Sequence, residues 1–283
     1  MDNINIESGL YILSTNVRDE NNILEWIIYH LLIGFDKILI IDHMSKISVS
    51  SIIEKYSFKN RVDIINSNKP GPVKLYFLND LVIPYMKKNC KKYFIHLDAD
   101  EYINLNDNYD NIKQLLDDYP FDILTLNWIT FGSNNKEKND HKHKCLIPTY
   151  TRCGQHINFF YKCFIKMNNN LGTFVNPHHI INTGKIEYTN IKKEKFHNIE
   201  NTMANYASMK PKYDFFKDIP AFINHYAVQS KEDYNKRKVN RPRDDINLTR
   251  EFNMKDFKNN NVMIYDNLNK KYYKQIESII ESI

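Results

Sequence analysis

Apolar and polar positions alternate in blocks along the first 130 residues of the chain. Leu10 to Asn16 (LYILSTN) is a short apolar run that turns polar at its end, the pattern of a buried strand reaching a loop. Ile23, Trp26, Ile27, His30 and Leu31 then recur at three-to-four-residue spacing, which predicts a helix capped by Asp19 and closed at Gly34. Lys37 to Ile41 (KILII) predicts a second strand. Strand, helix and strand in so short a stretch make a βαβ unit, which needs a parallel pairing and a right-handed crossover. The alternation continues with a helix near Ser50 to Tyr56, a strand at Val62 to Ile65, a helix from Lys74 to Lys88 and a strand at Tyr93 to Leu97. From Asp107 it loosens into a helix at Asn111 to Leu116, a strand at Phe121 to Trp128 and a polar loop from Ser133 to Lys144. The last third is polar, rich in tyrosine and without a clear period.

This order predicts an α/β fold: an open, mostly parallel, Rossmann-like sheet flanked by helices, with its ligand in the crevice beyond the carboxyl ends of the strands. No internal repeat or Gly/Ser linker interrupts it, so 1–283 reads as one domain. Composition agrees, because 42% hydrophobic and 26% charged residues with only 7 glycines exclude disordered and fibrous classes. The net charge of +5 suits an anionic ligand, but the 39 basic residues are spread out and form no nucleic-acid stripe. The start, Met1-Asp2-Asn3-Ile4-Asn5, has neither a cationic nor an apolar signal segment, and no run approaches the roughly 20 apolar residues of a membrane span. A soluble, cytoplasmic protein is the expectation. Cys90, Cys145, Cys153 and Cys163 show no CxxC spacing and read as buried, reduced thiols.

Polar residues gather where the crevice rule places the site. The first strand ends in Thr15 to Glu20, the second in Asp42-His43, and the strand at 93–97 in Asp98-Ala99-Asp100-Glu101. Residues two apart on a strand share a face, so Asp98 and Asp100 are expected to address one hard cation that also takes phosphate oxygens. A haloacid-dehalogenase phosphatase would carry Thr four residues after Asp98, where this chain has Tyr102. Trp128 at its strand end suits either stacking on the face of a bound ligand or core packing. Asp140 and Glu137, in the loop after Phe131-Gly132, are candidate bases, although solvated loop acids explain them more simply. Ser230 and Asp233 form a capping box, followed by Lys231, Lys236, Arg237, Lys238, Arg241 and Arg243. A solvated basic face is the plain reading of that run, and a lid over a diphosphate is the functional one.

Several ordered segments carry a resemblance. Asn16-Val17-Arg18-Asp19-Glu20, Leu24 to His30, Gly34-Phe35-Asp36-Lys37-Ile38 and Ile41 to Ser45 are similar to the opening of glycosyltransferase family 92 and its family 2-like relatives. The likeness continues through Phe94 to Tyr102, Asn127 to Ser133, His178-His179, Ile223 to Tyr226 and Ser230 to Tyr234 with Lys236. It implies a GT-A fold, a nucleotide-sugar donor (UDP-linked by preference), a divalent ion (manganese, or magnesium in its place) and inverting transfer. By position it implies that Asp98 and Asp100 hold the metal and donor, with Glu101 bracing the loop. His225, or else His179, would complete the metal site. It further implies that Asp42 reads the base, and that Thr15, Asn16, Arg18 and Glu20 line the same pocket with Lys231 on the donor. The membrane anchor of animal members has no counterpart here.

Taken together, residues 9–130 are the expected nucleotide-sugar half, 131–245 the acceptor and metal-completing half, and 246–283 a helical tail. The expected reaction moves a sugar from a nucleotide diphosphate to a hydroxyl of a glycan, protein or lipid. A metal-dependent phosphoesterase or a degenerate glycan-binding module are the alternatives. A sugar nucleotidyltransferase ranks low, because no glycine lies between Gly9 and Gly34.

Overall fold

A computed structural model describes residues 10–139, 145–168, 171–181, 186–197, 202–213, 218–240, 251, 254, 257 and 260–282. Four parallel strands form its centre: β1 (Tyr11–Val17), β2 (Lys37–His43), β3 (Val62–Ser67) and β4 (Tyr93–His96), in the order β3-β2-β1-β4. The sheet extends past β4 through later strands. These are β5 (Glu101–Leu105), β6 (Ile123–Thr130), β8 (Tyr161–Lys166), β11 (Glu187–Asn190), β12 (Lys195–His197) and β13 (Ala221–His225). β8 lies antiparallel between β4 and β6, β11 is parallel to β6, and β13 is parallel to β6 and antiparallel to β5. Two small sheets pair β7 (Arg152–Cys153) with β14 (Met263–Ile264) and β9 (Thr173–Asn176) with β10 (His179–Ile181).

Both faces of the sheet are apolar, as buried parallel strands require. Leu13, Ile38, Ile40, Ile95 and Phe164 pack into one layer with α1 (Ile23–Leu32), α2 (Val49–Ile53), α4 (Ile112–Asp117) and α6 (Asn267–Glu281). Ile12, Leu39, Ile41, Phe94 and Ile165 pack into the other with α3, a continuous helix of segments Lys74–Tyr76, Phe77–Val82 and Ile83–Asn89 whose middle is wound as a π-helix. The expected open, mostly parallel α/β sheet is what the chain forms. All four cysteines are free and buried. Among the described residues, no helix is long and apolar enough to cross a membrane.

Local chemistry explains where element boundaries differ from expectation. Asp19 does not cap α1; it adopts φ 54°, its carboxylate accepts from Lys46 N (2.7 Å), and its N–H donates to Ser45 Oγ (3.1 Å). It joins the loops after β1 and β2, and α1 starts four residues later without a side-chain cap. Gly34 ends that helix region as expected, at φ 108°, where a Cβ would stand 3.2 Å from Asn111 Cβ. The 246–283 tail is helical over Asn267–Glu281 but also supplies β14.

Candidate functional site

β2 and β4 pair on opposite sides of β1, so the strand order reverses between β1 and β4. Such a reversal opens a crevice at the carboxyl ends of the two strands. Asn16 lies at the end of β1 and Asp98 just beyond β4, and Lys74 from the first turn of α3 bridges them, with Nζ 2.5 Å from Asn16 Oδ1 and 2.5 Å from Asp98 Oδ1. Lys162 approaches Asp98 from the other side, at 2.8 Å from Oδ2. Its place follows from register: β8 is antiparallel to β4 with Ile95 opposite Phe164, so two residues further Lys162 comes opposite Leu97.

Asp98 and Asp100 do not share a strand face. They sit in a tight turn between β4 and β5 that closes through Glu101, whose N–H donates to Asp98 O (3.0 Å) while its carboxylate accepts from Asp98 N (2.9 Å). Glu101 braces the loop as expected, and Lys162 Nζ lies 3.3 Å from it. Burial raises the Glu101 carboxyl to about 8, with Lys162 opposing and the two aspartates reinforcing. Burial would also raise Asp98, but Lys162 and Lys74 hold it well below the usual carboxylate range.

Asp100 faces a second group of cations. Its backbone O accepts from Tyr226 N (2.8 Å), so the pairing of β13 with β5 sets His225 opposite Glu101 and beside the turn. His225 Nε2 stands 3.6 Å from Asp100 Oδ1. On the other oxygen, Arg237 Nη2 donates at 2.6 Å and Lys238 Nζ lies 3.8 Å away. Both basic residues come from the π turn Asn235–Val239 that continues α5 (Lys231–Tyr234). Burial works against the Asp100 anion, yet Lys238, Arg237 and His225 hold its carboxyl below the ordinary value. Burial takes His225 down to about 4, so the ring is neutral at pH 7 and keeps a nitrogen lone pair. Trp128 packs on that ring (centroids 4.2 Å) and edge-on against His178 (5.0 Å).

A divalent ion finds only part of a site here. Among the described residues no three His, Cys, Asp or Glu side chains converge as a metal cage. Each Asp98 oxygen is paired with a lysine, Lys74 on Oδ1 and Lys162 on Oδ2, whereas Asp100 carries its basic partners on Oδ2 and leaves Oδ1 toward His225. Asp100 Oδ1 and His225 Nε2, 3.6 Å apart, are the pair that would hold such an ion, with substrate phosphates completing its shell.

The remaining expected residues divide. Thr15 and Asn16 are buried at the crevice, and Glu20 reaches Arg237 Nε at 3.8 Å. Arg18 is half-buried on the same loop. The Asp42 carboxylate accepts from Val49 N (2.9 Å) and Ser45 N (3.4 Å), so it closes the turn between β2 and α2. His179 lies in the opposite core layer, stacked on Tyr188 (5.3 Å) with its Nδ1 3.4 Å from Tyr161 Oη. Its neighbour His178 is the one beside the site, its Nδ1 2.8 Å from Tyr161 O. Lys231 pairs with Glu137 at 3.1 Å. The Ser230 capping box is present, with Ser230 Oγ accepting from Asp233 N (3.1 Å). Beyond it Arg237 and Lys238 turn inward, so that run is not a plain solvated face. Asp140, Arg241 and Arg243 lie outside the described residues.

Lys74, Lys162 and His178 were not singled out as site residues by sequence alone, and Arg237 and Lys238 were read only as members of a basic run that could close over a diphosphate. Lys162, an isolated charge between Tyr161 and Cys163 in an apolar strand, is the one that carried a signal.

No family model matches the chain, and no curated protein matches it, so the family 92 resemblance has no match of either kind behind it. Among solved structures, S. aureus TarS 1–349 in complex with UDP is similar at 17% identity and TM-score 0.33, over 42% of this chain and 36% of that one. The same protein in complex with UDP-GlcNAc aligns at 18% identity and TM-score 0.31. HddC from Yersinia pseudotuberculosis aligns over 95% of this chain and 99% of its own at 13% identity and TM-score 0.32. The aligned part of the chain spans about a third of the TarS length.

Proposed function

We propose that the protein is a glycosyltransferase that moves a sugar from a nucleotide diphosphate, UDP-linked by preference, to a hydroxyl of a glycan, protein or lipid, with inversion. The observation that supports this most is the coincidence of an Asp-Ala-Asp-Glu turn, a neutral histidine, two buried lysines and two half-buried basic residues at the switch point of a parallel sheet. That is where such sheets bind nucleotides. A manganese or magnesium ion held by Asp100 and His225 would supply Lewis-acid stabilisation of the leaving diphosphate.

The chain's own residues do the rest. Lys74 and Lys162 fix Asp98, and with it the turn that carries Asp100, so the site is ordered before the donor arrives. Arg237 and Lys238 bring positive charge to the place where the departing phosphates gain negative charge, which is where preorganised donors lower a barrier most. Trp128 holds the His225 ring by packing and leaves its own Nε1 buried without a partner. The acceptor hydroxyl needs a base to take its proton.

A screen of nucleotide sugars with manganese, analysed for both transfer and hydrolysis products, tests this reading. Asp100→Asn is expected to lower metal-dependent turnover by at least about a hundredfold, a loss on the scale of removing one transition-state contact. Thermal unfolding of the same variant checks that the fold survives. Full activity in Asp100→Asn removes the metal from the reading, and hydrolysis that no acceptor ever diverts favours a phosphoesterase.

A further inference from the structure

Arg237 is placed in a way that its contact with Asp100 does not explain. One of its three nitrogens, Nη2, has a hydrogen-bond acceptor; Nε and Nη1 are buried with none, and Nε stands 3.8 Å from the nearest Glu20 oxygen. A guanidinium is a five-donor fork suited to bidentate capture of oxyanions, and leaving most of its donors dry is unfavourable. It is carried on a π turn, an uncommon winding found mostly at functional sites. And it occupies Asp100 Oδ2, on the carboxylate whose other oxygen lies 3.6 Å from His225 Nε2.

We propose that Arg237 is an internal counter-cation which holds Asp100 closed until a nucleoside diphosphate draws it off. In this arrangement Arg237 neutralises Asp100 while the site is empty. An arriving diphosphate offers the guanidinium two or more oxygens, Arg237 moves onto them, and Asp100 is released to a divalent cation at the same moment. The exchange keeps charge balanced throughout: the carboxylate trades one cation for another, and the dry donors of Arg237 gain acceptors. Lys74 and Lys162 cannot take part in the same way, because Lys162 lies within a buried strand and both are committed to Asp98. The consequence is cooperative loading. The divalent ion binds poorly alone, because it must displace an ion pair, and binds well with the nucleotide. The identity of the ligand rests on the transferase reading above; the coupling itself is a property of the site.

The test measures manganese binding to the full chain by electron paramagnetic resonance of the free ion, with and without UDP, in wild type, Arg237→Gln and Arg237→Lys. For wild type, UDP is expected to tighten manganese by about tenfold or more. Arg237→Gln is expected to tighten manganese alone by a similar factor and to lose most of the coupling to UDP, while Arg237→Lys, which keeps the charge, stays weak. Near-UV circular dichroism confirms that each variant is folded. If Arg237→Gln does not fold, Arg237→Met takes its place in the same measurement, with manganese binding to UDP alone subtracted, and a folded variant that binds manganese alone no more tightly than wild type overturns the proposal. If wild type and Arg237→Gln both bind manganese and UDP cooperatively with equal constants, the latch is wrong and the transferase reading stands. If no form binds manganese with or without UDP, both fail.

Discussion

Lys162 shows what a single residue contributes here. It is fully buried, and its ammonium reaches Asp98 at 2.8 Å and Glu101 at 3.3 Å, the two ends of the turn that presents Asp100. A buried charge of this kind is stable only while its partners remain, and removing one partner typically costs about 3 to 5 kcal/mol. Lys162→Met is therefore expected to lower unfolding free energy in denaturant by roughly that amount, and a change below about 1 kcal/mol would show that the pair is not coupled to the fold. Sequence reading could find the acids but not this lysine's role. Lysines and arginines are so frequent in the chain that each one carries little information, and what distinguishes Lys74 and Lys162 is a long-range meeting, 24 and 64 residues away from Asp98. The acids were readable because they follow an apolar strand directly.

At the scale of elements, boundaries decide which side chains face the site. His178 and His179 are adjacent, and with His178 in the turn before β10 and His179 on the strand itself, one packs against Trp128 and the other against Tyr188. No periodicity in the sequence distinguishes them. His225 was readable, because a five-residue apolar strand ends on it. The capping box at Ser230 was readable too, but its consequence was not: it starts a helix whose continuation becomes a π turn and rotates Arg237 inward. Ser230→Ala removes the cap and is expected to lower stability by about 1 kcal/mol. Gly34→Ala places a Cβ at φ 108° within 3.2 Å of Asn111 Cβ and is expected to cost at least about 1 kcal/mol more than a typical surface change, measured by thermal unfolding.

At the scale of the whole molecule, buried titratable groups set a pH window. Burial depresses His30 and His178 to about 3 and His225 to about 4, from an ordinary 6.5, so the folded chain binds fewer protons than the unfolded one and stability is lost as pH falls below 6.5. Burial raises Glu25 to about 7 and Glu101 to about 8, from 4.5, so their contribution is lost as pH rises from 4.5 through those values. The two trends meet near pH 6.5. Thermal unfolding across pH 4 to 9 is expected to peak there, and a steady rise to pH 9 would contradict the assignment of Glu25 and Glu101 as buried acids.

The insertion of β8 between β4 and β6 also orders events during synthesis. A nascent chain ending at 130 already has β1 to β4, yet β4 must wait for residues 161–166 to cover its open edge, and Asp100 must wait for Arg237. Until then the ribosome presents a sticky strand margin beside uncompensated acid. A fragment trimmed to the first half would inherit that exposure permanently, and self-association of such fragments is the expected fate.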